Sequence, residues 1–180
     1  MDEIGPISFR PKGGRGRFRA GHPARIPSTY KRRKGTRYLY LTENVYHKRL
    51  SGRFYRHKGG TFWSDYLERE RSKYPADQRV YIIQDTLSAH WTPEIRRWVH
   101  AHRVTRVASA TRASWMNPVG CHAGDLQSLV VAGSNFQSWA EVRREFRRAI
   151  AYRNRERRFR KTRVAGRKWV THRRPVWKRH

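Results

Sequence analysis

The sequence predicts a mixed α/β domain, and three observations carry that reading. Residues 36–46 and 52–56 alternate like two paired strands. Helical spacing of apolar residues recurs at 61–74, 92–99 and 138–154. Between them, Val80-Tyr81-Ile82-Ile83 is a continuous apolar run of the kind found in a buried, largely parallel strand. Strands interleaved with helices build a sheet with helical layers against it.

The elements follow in chain order. Gly13, Gly14, Gly16, Gly21, Pro23 and Pro27 make 11–28 an irregular loop. In the first strand Tyr38 and Tyr40 alternate against Leu39 and Leu41, and 52–56 is its hairpin partner. Thr61 is the expected cap of a helix carrying Phe62, Trp63, Tyr66, Leu67 and Tyr74, which Pro75 ends. The apolar run at 80–83 stops at Asp85. Thr92 is a good N-cap, Pro93 suits the first helical position, and Ile95, Trp98 and Val99 form the inward stripe. A further strand is expected at 104–108 and a helix within 115–131. Ser138 followed by Glu141 is a capping box. It opens a helix with Trp139, Val142, Phe146 and Ile150 on one face and Arg143, Arg144, Arg147 and Arg148 elsewhere. No periodicity survives beyond about residue 157, so 158–180 reads as a basic, poorly packed tail and 1–157 as the domain.

Charge narrows the function. The 180 residues include 42 Lys+Arg and 13 Asp+Glu, a formal net charge of +29. Residues 1–40 carry +9 and 141–180 carry +14, while 81–140 carry only +2. A near-neutral centre with cationic flanks points to a polyanionic partner, nucleic acid first. Seven Trp and 13% aromatic residues argue against a disordered basic chain. The candidate nucleic-acid contacts are Arg32, Arg33 and Lys34, Arg143 and Arg147 on the last helix, and Arg160, Lys161, Lys168 and Trp169 in the tail. In the tail, aromatic rings interleave with cations as stacking on bases requires. The single Cys121 excludes an internal disulfide, no run is long enough to span a membrane, and no signal segment is evident. A cytoplasmic location is expected.

Asp85 at the carboxyl end of an apolar strand is the first candidate for chemistry. It is either a turn carboxylate or a ligand for a hard cation such as Mg²⁺. Asp2 and Glu3 form a second acidic cluster just before Gly5-Pro6.

Longer blocks around these residues carry a family resemblance. Asp85-Thr86-Leu87-Ser88-Ala89-His90-Trp91-Thr92-Pro93 resembles the Asp-Asn-x-Ser-x-His-x-Thr/Pro motif of DDE transposases of the mariner-like superfamily, bacterial insertion-sequence branch. Ala113-Ser114-Trp115-Met116-Asn117-Pro118-Val119 resembles their Ser-Trp-Leu-Asn-x-Val/Ile-Glu block. Met1 to Ile7 is similar to the strand that carries their first catalytic Asp, and Phe136 to Asn154 to their last helix. The resemblance implies an RNase H-like fold, DNA as partner, and DNA cleavage and joining by two Mg²⁺ ions held on three carboxylates. It makes Asp2 and Asp85 the first two catalytic, metal-binding acids. The third acid falls on Gly120, with 34 residues between it and Asp85. Glycine offers no side-chain oxygen. If the helix is regular, Asp125 points roughly 140° away from position 120, and His122 about 160°.

The family's first Asp follows several apolar residues, whereas here it is residue 2. The central strand is therefore expected to be incomplete on its N-terminal side, the domain to be truncated, and the helix-turn-helix reader to be absent. The expected activity is that of a catalytically defective transposase-type DNA-binding domain, acting as a homodimer or with an intact transposase. The alternatives are a non-catalytic DNA-binding remnant and a structural RNA-binding protein.

Overall fold

A computed structural model describes residues 1–8, 20–22, 35–110 and 117–156. Strand β1 (Asp2–Ile7) pairs antiparallel with β2 (Arg37–Asn44), which pairs antiparallel with β3 (Arg49–Tyr55). Helix α1 (Gly60–Arg71) leads to β4 (Val80–Gln84). A 3₁₀ turn (Ser88–His90) and α2 (Pro93–Ala101) lead to β5 (Val104–Ala108), parallel to β4. Helices α3 (Pro118–Val131) and α4 (Trp139–Glu156) complete the described chain. The sheets β1-β2-β3 and β4-β5 meet where the Met1 nitrogen donates to Ile83 O at 2.7 Å.

β2 is buried on both faces, which explains its dense alternation of Leu and Tyr. Leu39 and Leu41 join Ile4, Ile7, Leu126, Val142 and Phe146 in a core under α3 and α4. Tyr40 joins Met1, Trp63, Tyr66, Ile82 and Ile95 in a second core under α1. On α4, Val142, Phe146 and Ala149 face inward at 3.6-residue spacing, while Arg143, Arg144, Arg147 and Arg148 are exposed. The Asn154 side chain pins the end of this helix to β3, accepting from Leu50 N at 2.7 Å and donating to Leu50 O at 2.9 Å. Arg71 is buried at the end of α1 and donates to the carbonyls of Tyr74, Ala76, Gln78 and His102. These bonds satisfy the guanidinium and tie α1 to the approach to β4.

Two sequence expectations are corrected. The cap of α1 is Gly59 at φ 142°, and Trp63 N donates to Gly59 O at 2.9 Å, so Thr61 lies inside the helix. That backbone angle favours glycine over the hydroxyl residue two positions on. The strand at 80–83 is not buried throughout: Ile82 is 5% exposed, but Tyr81 is 67% and Ile83 44%. Helices α3 and α4 pack on β1, β2 and β3, leaving this face of the β4-β5 pair open to solvent. Other signals match the structure. Thr92 Oγ1 accepts from Ile95 N at 3.4 Å. Ser138 Oγ accepts from Glu141 N at 3.2 Å, and Glu141 reaches back to Gln137 N at 2.8 Å. The expected loop at 11–28 lies largely, and the tail at 158–180 wholly, outside the described residues.

The two-core arrangement makes a quantitative prediction. Phe146→Ala should cost about 3–5 kcal/mol in urea unfolding, because it opens a cavity between β3 and α4. Arg147→Ala, one residue on but exposed, should change stability by less than about 0.5 kcal/mol.

Candidate functional site

Asp85 directly follows β4, and the segment after it closes back on it. Leu87 N donates to its Oδ1 at 3.3 Å, and Trp91 Nε1 donates to its backbone O at 3.2 Å. His90 Nδ1 lies 2.8 Å from Asp85 Oδ1. The His90 ring is 1% exposed and stacks on Trp63 with centroids 3.7 Å apart. Its Nε2 faces Glu3 Oε2 at 3.7 Å, and Lys58 approaches the other Glu3 oxygen at 3.6 Å. Arg106 donates to His90 O and lies over the Trp91 ring at 4.1 Å. The motif Asp85 to Pro93 is thus one compact unit around a buried imidazole.

Its electrostatics follow from the pairing. Burial works to lower the His90 pKa, but hydrogen bonding and charge attraction from Asp85 and Glu3 outweigh it and raise it. The Asp85 pKa is lowered, chiefly by the His90 hydrogen bond, against the opposing effect of burial. Asp2 behaves in the opposite way. Burial pushes its carboxyl pKa up and the charge of Asp85 adds to the rise, although Glu3 N donates to its Oδ1 at 2.8 Å.

Asn117 brings the third position to this pair. It caps α3, its Oδ1 accepting from Val119 N at 3.3 Å, and its Nδ2 donates to Met1 O at 2.9 Å. Gly120 follows in the first turn, and a Cβ placed on it would stand 3.9 Å from Asp2 Oδ2. Position 120 therefore faces the first acid and presents no side chain to it. Neighbouring candidates are engaged elsewhere. Asp125 pairs with Arg153 at 2.9 Å, His122 Nε2 lies 3.3 Å from Glu43, and Cys121 is exposed. No group of three or more His, Cys, Asp and Glu among the described residues is placed to hold a metal ion. A two-ion centre, with its ions about 3.5–4 Å apart, does not fit this donor set.

In the sequence Glu3 stands only as part of an acidic cluster with Asp2, and Asn117 only as part of the block that resembles the family, without the roles that the structure gives them. An Asn directly before Pro118 was a readable N-cap signal. The Glu3–His90 contact had no local signal.

Among the candidate nucleic-acid contacts, Arg143 and Arg147 are exposed on α4. Arg37 stacks over Trp139 at 5.0 Å. Its pKa is lowered by burial and by the nearby charges of Arg56 and Arg143, so the three guanidiniums form one cationic group. Arg32, Arg33, Lys34, Arg160, Lys161, Lys168 and Trp169 lie outside the described residues.

The Asp85–His90 pair sets a pH dependence. A histidine with a raised folded pKa contributes stability that is complete below its ordinary 6.5 and lost as pH climbs through the raised value. The lowered Asp85 contributes above its ordinary 3.8 and fails as pH drops through the lowered value. The thermal midpoint should therefore fall as pH rises from 6.5 to 9. In His90→Gln that fall should be smaller, as read by circular dichroism melts across the range.

Comparison with known proteins places the fold. No protein-family model matches the sequence, and no curated protein matches it. Solved structures do. The Mos1 strand transfer complex aligns with a TM-score of 0.59 at 14% identity, over 86% of this chain and 50% of that one. A Mos1 transposase paired-end complex with the left transposon end gives 0.59 at 15% identity, over 83% and 47%. A Mos1 mariner paired end complex with Mn gives 0.58 at 14% identity, over 86% and 51%. The chain spans about half the length of these neighbours, and across that span it has the mixed α/β fold seen in the Mos1 transposase structures.

Proposed function

We propose that this chain is a DNA-binding domain of the DDE transposase type, RNase H-like in architecture and catalytically incomplete. Within the mariner-like superfamily we assign it to the bacterial insertion-sequence branch. The observation that carries the reading is the convergence at Asp2: a Cβ on Gly120 would stand 3.9 Å from its carboxylate, and the Asp85 charge acts on it. Three blocks far apart in sequence meet at the positions where the resemblance puts three acids. The likeness to Mos1 transposase complexes supports the fold beneath this reading.

The two carboxylates present suit weak binding of one divalent ion such as Mg²⁺, with Asp85 as the ionised donor. One of the Mos1 neighbours is a complex with Mn, which supports divalent-metal use in this type of protein. Without an oxygen at position 120 the second ion has no holder, and no cleavage step is assigned to this chain. The remaining capacity is to grip DNA through phosphate contacts, using the Arg37–Arg56–Arg143 group, Arg147 and the cationic flanks. A second copy or an intact transposase would be its partner on DNA.

Three measurements test the reading. Purified protein should not nick supercoiled plasmid with Mg²⁺ or Mn²⁺, whereas robust nicking abolished by Asp85→Ala would overturn the assigned defect. Gly120→Glu should show a larger Mn²⁺-dependent rise in thermal midpoint than the parent chain. Duplex binding, followed by fluorescence anisotropy, should weaken linearly in log–log plots against salt, by about 0.9 per phosphate contact. Arg143→Ala with Arg147→Ala should reduce that slope by roughly two contacts' worth, and a salt-independent affinity would reject DNA binding.

A further inference from the structure

β3 is the outer strand of its sheet, with β2 on one side. On its other side the Asn154 carboxamide takes the place of a neighbouring strand at one residue. It accepts from Leu50 N at 2.7 Å and donates to Leu50 O at 2.9 Å, as a peptide group of a paired strand would. Leu50 therefore turns its backbone away from its register partner Glu43. Alternation along the ladder turns the backbone groups of Gly52 and Phe54 the same way. Among the described residues nothing pairs with them there.

The open edge runs beside a row of arginines. α4 runs antiparallel to β3, with Asn154 at Leu50 and the Phe146 ring 5.2 Å from that of Phe54. Arg147 and Arg143 share the helical stripe of Asn154, about 10 Å and 16 Å back along the axis. That sets them alongside Gly52 to Tyr55. Arg53 is exposed on the strand itself and lies over the Tyr55 ring at 5.7 Å. Arg56 follows, exposed, at the same end as Arg37 and Arg143. None of Arg53, Arg56, Arg143 and Arg147 has a carboxylate within ion-pair distance among the described residues, whereas Arg144 and Arg148 pair with Glu145.

We infer that the β3 edge from Gly52 to Tyr55 is a binding site for an extended acidic segment of another protein, added to the sheet beyond β3. The backbone favours a polypeptide over nucleic acid. Gly52 and Phe54 each present an N–H and a C=O, and a phosphodiester offers acceptors but no donors. Asn154 already shows that an amide fits this edge. The arginines specify the sign of the occupant. Strand side chains alternate between faces, and Phe54 packs under α4 while Tyr55 packs under α1. Carboxylates on the occupant would thus reach Arg143 and Arg147 on one face and Arg53 on the other. A second copy is a poor occupant. Antiparallel self-pairing centred on Arg53 would set two guanidiniums opposite each other, and the whole chain carries +29. The inference stands apart from the functional reading above, and it makes DNA and the acidic strand rivals for Arg143 and Arg147.

The test uses the full chain and a fluorescein-labelled peptide, Asp-Glu-Val-Glu-Val-Glu-Asp, followed by fluorescence anisotropy. Binding should saturate. N-methylation of the peptide's central amides should weaken it about tenfold or more, because it removes the donors and leaves every charge. A peptide with Lys at every acidic position should not bind. Arg143→Ala with Arg147→Ala, both exposed, should weaken binding about threefold to tenfold and leave the thermal midpoint unchanged. Amide exchange at Gly52 and Phe54, read by NMR, should slow about tenfold or more when the peptide is added. Equal binding of the N-methylated peptide, or unchanged exchange at Gly52 and Phe54, would overturn the site. So would protection of these two amides by oligodeoxythymidine and not by the peptide, which would make the edge a nucleic-acid contact. A chain that is dimeric by light scattering, with both amides protected before peptide is added, would make a second copy the occupant and overturn the assignment to an acidic partner.

Discussion

The carboxamide of Asn117 holds the centre of the molecule together. Its Nδ2 donates to Met1 O and its Oδ1 accepts from Val119 N. One buried side chain therefore fixes the start of β1 against the start of α3, across 116 residues of sequence. Met1 is bound at its other end to β4 through Ile83 O, and the next residue begins the ladder to β2. Losing the amide would strand buried donors and acceptors at about 1–3 kcal/mol each. The proximity of position 120 to Asp2 is a consequence of this junction, because Gly120 stands in the first turn of the helix that Asn117 caps.

The two acids at the junction live in different electrostatic environments. Asp85 shares a buried imidazole with Glu3, and the cation between two carboxylates keeps Asp85 ionised. Trp63 covers the ring and keeps the group dry, which strengthens each attraction. Asp2 has no such partner, so burial and the neighbouring Asp85 charge dominate and its pKa rises. Protein groups hold Asp85 charged, whereas burial and the Asp85 charge raise the Asp2 pKa against the Glu3 N hydrogen bond and the attraction of the Met1 ammonium.

Much of the fold was legible because its signals are local. Alternation located β2 and β3, and Thr92-Pro93 and Ser138 with Glu141 marked the helix starts. The misread features depend on surroundings. Four apolar residues at 80–83 look the same whether one or both faces are covered, and only the placement of α3 and α4 leaves Tyr81 and Ile83 exposed. Gly59 took the cap from Thr61 because the backbone there turns to φ 142°. Within the site, Asp85 was visible as the stop of a strand. Gly120 and Asp2 stood out only through the family resemblance. The roles of Glu3 and Asn117 arise from long-range contacts that composition and periodicity do not encode.

The absence of a side chain at Gly120 is consistent with the rest of the centre. Asp2 already feels the negative charge of Asp85 and the cost of burial. A third carboxylate beside Asp2 would add a further like charge with no side-chain cation turned toward it among the described residues, because His90 and Lys58 face Glu3, and Arg153 faces Asp125. Such a site is stable only when divalent ions neutralise it. Glycine at position 120 leaves that further like charge out. The formal charge of +29 and the missing side chain beside Asp2 are then compatible: a cationic chain suits a polyanion, and position 120 adds no further negative charge to a centre where Asp2 already feels Asp85.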